Sequence, residues 1–399
     1  MRNSLAESVF PNARARGGLP VWSYDSEELF ELEKEHVFHR NWFIVGHVSE
    51  IPERGDYLTL DVAGERALAV RGKDGEVRAF HNLCRHRGSR VVAEARGNCG
   101  STIVCPFHGW CYGLDGRLRG APELQSFGVA VDRRTMGLKP LDFEIWQGLI
   151  FVRFKASSKP SVAEMMAPVE AELAAHRFAE MAPYGKAWAF DQDVNWKAAV
   201  EVDNEGYHVP KAHPSLNELY GESYEDRMIG EVLTSTGRFN AAPASLWSVR
   251  HYMQLLPENK DLPEDRRRAW FYYGLFPSVV ITFYPDMVDF YQTLPLAVDR
   301  CVMTGRAFAH PGGQREMRAA RYLNSRINRM TGDEDVQLVK WSCEGMRSSA
   351  FDDFVLSDRE VGVRIFHDEL RTALPVLNLR DRPAPGTLAE LNEARLKAA

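Results

Sequence analysis

Hydrophobic and polar positions change their period several times along the chain. From Ser26, the run Ser-Glu-Glu-Leu-Phe-Glu-Leu-Glu-Lys-Glu-His-Val-Phe offers an N-cap, early acids and apolar residues at helical spacing, and predicts a lead-in helix. From Trp42 to about Phe154 the period falls to two. Tyr57–Val62, Ala67–Val70 and Val77–Phe80 read as short strands, and Asp74-Gly75 and Asp115-Gly116 mark tight turns. This predicts a small all-β domain. Nothing between Asn195 and His208 breaks a helix except Gly206, so a helix there places Glu201, Glu205 and His208 on one face and ends at Pro210. Further strands are expected at Trp270–Pro277, Val279–Pro285, Asp289–Leu294 and Cys301–Ala309. Two helices should follow, Glu316–Met330 and about Asp333–Ser349, and a short polar helix over 387–399 after the linker Arg382-Pro-Ala-Pro-Gly386. The fold class is α+β.

Composition narrows the partners. The 399 residues suffice for two domains or one large one, and a net charge of −6 without a basic run argues against nucleic acid. No apolar run approaches the ~18–20 residues of a membrane span. The first twenty residues are polar, contain Arg and are punctuated by Gly and Pro, so a cytoplasmic, unprocessed protein is expected. Of the six cysteines, Cys84, Cys99, Cys105 and Cys111 crowd together, which suggests metal rather than a disulfide framework. Cys99 and Cys111 are most simply small buried residues.

The chemistry concentrates in two stretches. Cys84-Arg-His86-Arg-Gly88 and Cys105-Pro-Phe-His108-Gly109 supply two Cys/His pairs, the donor set of a Rieske [2Fe–2S] centre in which each loop gives one thiolate to one iron and one imidazole to the other. A Cys2His2 zinc site is the competing reading, but zinc loops usually pair cysteine with cysteine. The second stretch holds His208 and His213. Five helical steps rotate His213 by roughly 140° away from His208, so the irregular segment after Pro210 must swing it back. Two imidazoles and one carboxylate from elsewhere would form the facial triad of a non-haem Fe(II) site.

These loops, followed by Asn195-Trp196-Lys197 and Glu205-x2-His208-x4-His213, resemble the large (α) subunit of the Rieske non-haem iron oxygenases, in the family's order over nearly the whole chain. Ser89 and Phe107 stand where electron-transfer Rieske proteins carry disulfide-forming cysteines. The resemblance implies a lead-in over 1–40 packing on the catalytic domain, a Rieske domain over 41–155, and a catalytic domain over 156–399 in which helices cover an antiparallel, helix-grip-like sheet. It implies that Asp335, the Asp of Glu334-Asp335, completes the iron triad, with Glu344 standing where Gln is expected. It implies that Glu205 is the inter-subunit electron bridge between His108 and His208, although the family usually has Asp there. Asn195 and Glu201 are further candidate catalytic positions. The tail from Val355 resembles the family's closing helix.

No Gly-x-Gly-x-x-Gly dinucleotide fingerprint is present, so NAD(P)H and flavin would act only through a separate reductase, with or without a ferredoxin. The resemblance implies a homotrimer that uses O2 to hydroxylate or demethylate a small molecule. Val202–Pro210, with Glu at the bridge, is similar to the choline, betaine and carnitine branch. Aromatic and acidic residues in 271–273 and 283–291 could cage a cation. Arg250, Arg300 and Arg306 are candidates for a substrate carboxylate. An aromatic acid or aryl methyl ether hydroxylase, or a ring-hydroxylating dioxygenase, is the alternative. A Rieske electron carrier without an oxygenase site is the reading from a different class.

Overall fold

The period-2 stretch after Trp42 folds as short antiparallel strands. The computed structural model describes residues 17–127 and 131–398 and divides into two units, one over Phe38–Glu164 and one formed by the rest. In the first, Val77–His81, Glu65–Arg71, Asp56–Val62 and Arg96–Asn98 form a four-stranded sheet in that order. Thr102–Val104, Cys111–Gly113 and Leu118–Gly120 form a three-stranded sheet, and Phe43–His47, Leu149–Arg153 and Asp142–Trp146 form another. Gly75 turns the hairpin between Glu65–Arg71 and Val77–His81 at φ +83°, a conformation that a β-carbon disfavours. Leu68, Val70, Phe80, Ile103, Trp110 and Tyr112 share one core with Cys84 and Cys105, so both ligand loops are rooted in packed hydrophobic structure.

In the second unit, Ser26 caps helix α1 (Glu27–His36) by accepting from Leu29 N–H at 3.2 Å. Helix α2 (Trp196–Asp203) follows a cap by Asn195. A seven-stranded antiparallel sheet is built from β1 (Ala182–Gln192), β2 (Glu225–Ile229), β3 (Val232–Arg238), β4 (Ala269–Leu275), β5 (Val279–Phe283), β6 (Val288–Ala297) and β7 (Arg300–Ala309), in the order β1-β7-β6-β5-β4-β3-β2. Its register aligns Asp226, Ser235, Tyr272, Thr282, Asp289 and Ala307 in one row across β2 to β7, all on one side. On that side Trp270 and Ala309 pack with Val249 and Tyr252 of α3 (Trp247–Leu255), and with Ala320, Leu323 and Ile327 of α4 (Arg315–Met346). The opposite side buries Tyr273, Phe283, Phe290 and Phe308 against His176 and Phe178. Helices α5 (Val361–Ala373) and α6 (Leu388–Ala398) follow. The polar α6 docks firmly, because Asn392 is fully buried and accepts from Val376 N–H, and Glu28 of α1 accepts from Leu388 N–H at 2.8 Å.

Two expectations are corrected. The helix begun at Asn195 stops at Asp203, and Pro210 lies inside a separate short helix, Val209–Ala212. Proline suits the first turn, where its missing N–H has no partner to lose. The two helices expected after Glu316 are one, α4, which runs through Thr331-Gly332-Asp333. A glycine costs a helix ~1 kcal/mol. That is small beside the burial of Ala320, Leu323 and Ile327 before it and Val339 and Met346 after it. Glu334 and Asp335 therefore sit mid-helix instead of at an N-terminus.

Candidate metal centres

The two cluster loops have matching backbones. In each the cysteine carbonyl accepts from the glycine four residues on, Gly88 N–H to Cys84 O at 2.9 Å and Gly109 N–H to Cys105 O at 3.0 Å. In each the cysteine N–H is also bonded five residues on, to Ser89 O at 2.7 Å and Trp110 O at 2.8 Å. Gly88 and Gly109 close these turns at φ +75° and +70°. Cys84 and Cys105 are both 2% exposed, and the His86 and His108 rings lie 4.7 Å apart between centroids. Tyr112 Oη is 3.3 Å from Cys84 Sγ. Burial, with Cys105 beside it, pushes the Cys84 thiol above its usual range, so a cation is needed to hold that sulfur as a thiolate. All six cysteines are free. Two thiols and two imidazoles, with the buried His86 Nδ1 lacking a partner among the described residues, fit a Rieske cluster.

The second centre lies in the larger unit, where α2 ends and the short helices begin. His208 and His213 flank Val209–Ala212, and one tight turn brings their Nε2 atoms within 2.9 Å. Asp335 Oδ1 of α4 is 2.9 Å from His213 Nε2 and 3.6 Å from His208 Nε2. Ligands about 2.1 Å from one ion and at right angles lie about 3 Å apart, so this triangle fits the facial arrangement of two histidines and a carboxylate. Each histidine is backed by its own acid. Glu205 Oε1 lies 2.5 Å from His208 Nδ1, and Glu334 Oε2 lies 2.8 Å from His213 Nδ1. Nδ1–H donation to those acids leaves both Nε2 lone pairs free for a metal. Burial opposes charging His208, yet the carboxylates of Asp335 and Glu205 push its pKa up to about 10. Burial, assisted by Asp335, raises the neighbouring Asp203 to about 8.

The other candidates are placed elsewhere. Asn195 is occupied structurally, donating to Tyr24 O and Val298 O while capping α2. Glu201 points away from the triangle and holds His367 Nε2 at 2.8 Å together with the Tyr24 hydroxyl. Its expected face with Glu205 and His208 is lost because the helix stops at Asp203. Arg250 donates to Ser245 O, Arg300 is exposed at the β6–β7 turn, and Arg306 faces the Phe290 side of the sheet. Of the cage candidates, Tyr272, Asp289 and Tyr291 share the side facing α4, and Phe271, Tyr273, Phe283 and Phe290 the other. Glu334 was missed as a histidine partner, although two adjacent helical acids 100° apart can serve two different groups.

A metal cluster held by two Cys/His loops and a mononuclear site of two histidines and a carboxylate, carried by one chain, define a two-centre iron protein. The family model described as the Rieske [2Fe-2S] domain matches residues 41–135, and that of the ring hydroxylating alpha subunit catalytic domain matches 178–375. The chain belongs to the family of Rieske oxygenase α subunits. The glycine betaine monooxygenase oxygenase subunit of Pseudomonas aeruginosa is 36% identical over 198 residues, 50% of this chain and 45% of that one. The carnitine monooxygenase oxygenase subunit of Acinetobacter pittii is 33% identical over 217 residues, 53% and 57% respectively. Matched segments thus span about half the length of these relatives. The crystal structure of a quaternary ammonium Rieske monooxygenase superposes with TM-score 0.76 at 21% identity, covering 94% of this chain and 99% of that one, a likeness of fold.

Proposed function

We propose that this chain is the oxygenase component of a multicomponent monooxygenase that hydroxylates, or oxidatively N-demethylates, a quaternary ammonium compound. The observation that carries the reading is the His208–His213–Asp335 triangle, each histidine backed by an acid, in the same chain as the Cys84, His86, Cys105 and His108 loops. A bare electron carrier has no use for the first. The betaine and carnitine relatives favour an onium substrate over an aromatic one.

Bound iron, fed electrons by the cluster, would supply reductive activation of O2. The residues of this chain do the rest. Glu205 and Glu334 fix both histidine tautomers, and Asp335 neutralises part of the metal charge. The tyrosines facing α4 present π-faces to a cation. The overall change is substrate C–H plus O2, two electrons and two protons to C–OH plus water. Hydroxylation of an N-methyl group then releases formaldehyde. The reading includes a separate reductase, a homotrimer in which Glu205 bridges one subunit's His208 to a neighbour's cluster, and a cytoplasmic location; no helix among the described residues is long and apolar enough to cross a membrane.

The test is turnover of the iron-loaded protein with a surrogate reductase, following formaldehyde and O2. His213→Ala should keep the cluster spectrum and lose product. An unchanged rate of electron delivery to an acceptor, with no product from either form, would favour the carrier.

A further inference from the structure

The two histidines of the cluster loops have unlike surroundings. His86 lies flat against Trp110, with 5.2 Å between ring centroids and 1° between planes, and Phe127 stands edge-on to it at 5.7 Å. His108 meets a cation instead. Arg87, next after His86, reaches across to the other loop and donates from Nη2 to His108 Nε2 at 3.1 Å. Its guanidinium carbon also lies 4.6 Å from the centre of the Phe107 ring, whose face attracts a cation. Two neighbouring side chains of one loop thus hold the charged end of a residue from the other. Several arginines of this unit face acids, Arg78 with Asp74, Arg90 with Asp61, Arg96 with Glu50, Arg119 with Asp115 and Arg153 with Asp142. Arg87 meets no carboxylate among the described residues, so nothing cancels its charge. With Arg87 at Nε2, the nitrogen that His108 has left for a metal is Nδ1, and on His86 it is likewise Nδ1 that lacks a partner.

Resting on the four cluster ligands described above, we propose that Arg87 sets the reduction potential of the cluster by holding an uncancelled positive charge on the outer nitrogen of His108. Reduction adds one electron and no compensating positive charge to the cluster. A cation beside a ligand therefore stabilises the reduced form over the oxidised one. Arg87 acts through the imidazole of His108 and does not touch the metal, and Phe107 keeps it in place. His86, walled by two aromatic rings, has no such neighbour, so the effect enters through one histidine of the pair. The inference concerns the cluster alone and holds for an oxygenase and for a carrier alike, whatever the substrate.

The experiment is redox titration of the cluster-loaded full chain with dithionite, followed by EPR of the reduced cluster. Arg87→Gln should shift the reduction equilibrium about fivefold towards the oxidised form, a midpoint lower by ~40 mV for one electron. Arg87→Lys keeps the charge and should recover most of that shift. Phe107→Leu removes the ring that holds the guanidinium and should shift the midpoint the same way by less. Because Arg87 is exposed, the gap between the unaltered protein and Arg87→Gln should narrow in 1 M salt, where charges are screened beyond ~3 Å. Cluster absorption per chain should be equal throughout. An Arg87→Gln protein with a full complement of cluster and an equilibrium within about twofold of the unaltered one overturns the proposal. So does an Arg87→Lys protein as low in potential as Arg87→Gln. Were Arg87→Gln to lose its cluster, an unshifted Phe107→Leu protein would overturn the proposal in its place. If the unaltered chain assembles no Rieske cluster, the ligand set itself falls, and this proposal with it.

Discussion

Glu334 Oε2 lies 2.8 Å from Nδ1 of His213, and the next residue, Asp335, places its Oδ1 2.9 Å from the other nitrogen of the same ring. One helix thus supplies both an iron ligand and the acid that orients a second ligand. Replacing such a supporting acid typically costs 10- to 100-fold in metal affinity. Glu334→Ala and Glu205→Ala should each lose iron at that scale, measured by ferrous ion competition against a chelator. Asp335→Ala should abolish binding. Unchanged iron affinity in both glutamate variants would mean the histidines need no such support.

Tyr112 sits 3.3 Å from Cys84 Sγ and also accepts from Arg85 N–H at 3.0 Å, so its own proton is free to point at the sulfur. A donor there favours the reduced, more negative cluster. Tyr112→Phe should lower the cluster midpoint potential by on the order of 40 mV, the one-electron equivalent of a hydrogen bond worth ~1 kcal/mol. Redox titration followed by EPR reads this directly.

Lys197 Nζ and Glu33 Oε1 are 2.6 Å apart at 0% and 1% exposure, and Trp196 Nε1 donates to the other oxygen of Glu33 at 2.7 Å. Removing one partner strands a buried charge. Glu33→Ala or Lys197→Ala should each cost about 3–5 kcal/mol, and Glu33→Leu with Lys197→Met together should cost less than either. Urea denaturation at neutral pH measures all three. A double variant as unstable as the sum would show that the two side chains do not act as a pair.

His47 and His176 are both held near a pKa of about 4, in each case chiefly by burial. Both lie below the unfolded value of about 6.5, so the unfolded chain binds more protons as pH falls. Their contribution is complete above pH ~6.5 and declines as pH falls towards 4. The urea midpoint should drop between pH 7 and pH 5, and His176→Gln should flatten the part of that drop belonging to the larger unit.

The cluster loops were legible because cysteine and histidine spacing is a local property, and the strands β4 to β7 because a buried sheet imposes alternation on aromatic and β-branched residues. Strand β1 was not. Its side chains from Gly185 to Ala189 are exposed and its register slips between Tyr184 and Trp188, so no alternation survives to be read. The join within α4 was hidden for the opposite reason. Thr331-Gly332-Asp333 has the local chemistry of a helix stop and start, and only packing on either side overrides it. Asp335 could be singled out by resemblance, but the partner of His213 could not, because contact across 121 positions of sequence leaves no local trace.

Helix α1 is joined to residues synthesised long after it. Glu28 binds the N–H groups of Gly386 and Leu388, and Trp22 donates to Leu379 O. Residues 38–164, by contrast, are contiguous in sequence and cluster as one unit. During translation the segment bearing the cluster can finish folding while the ribosome is still hundreds of codons from completing the iron-binding half. The lead-in helix must wait, half-clad, until α6 emerges. Slow or interrupted synthesis would therefore leave one half mature and the other open to proteolysis.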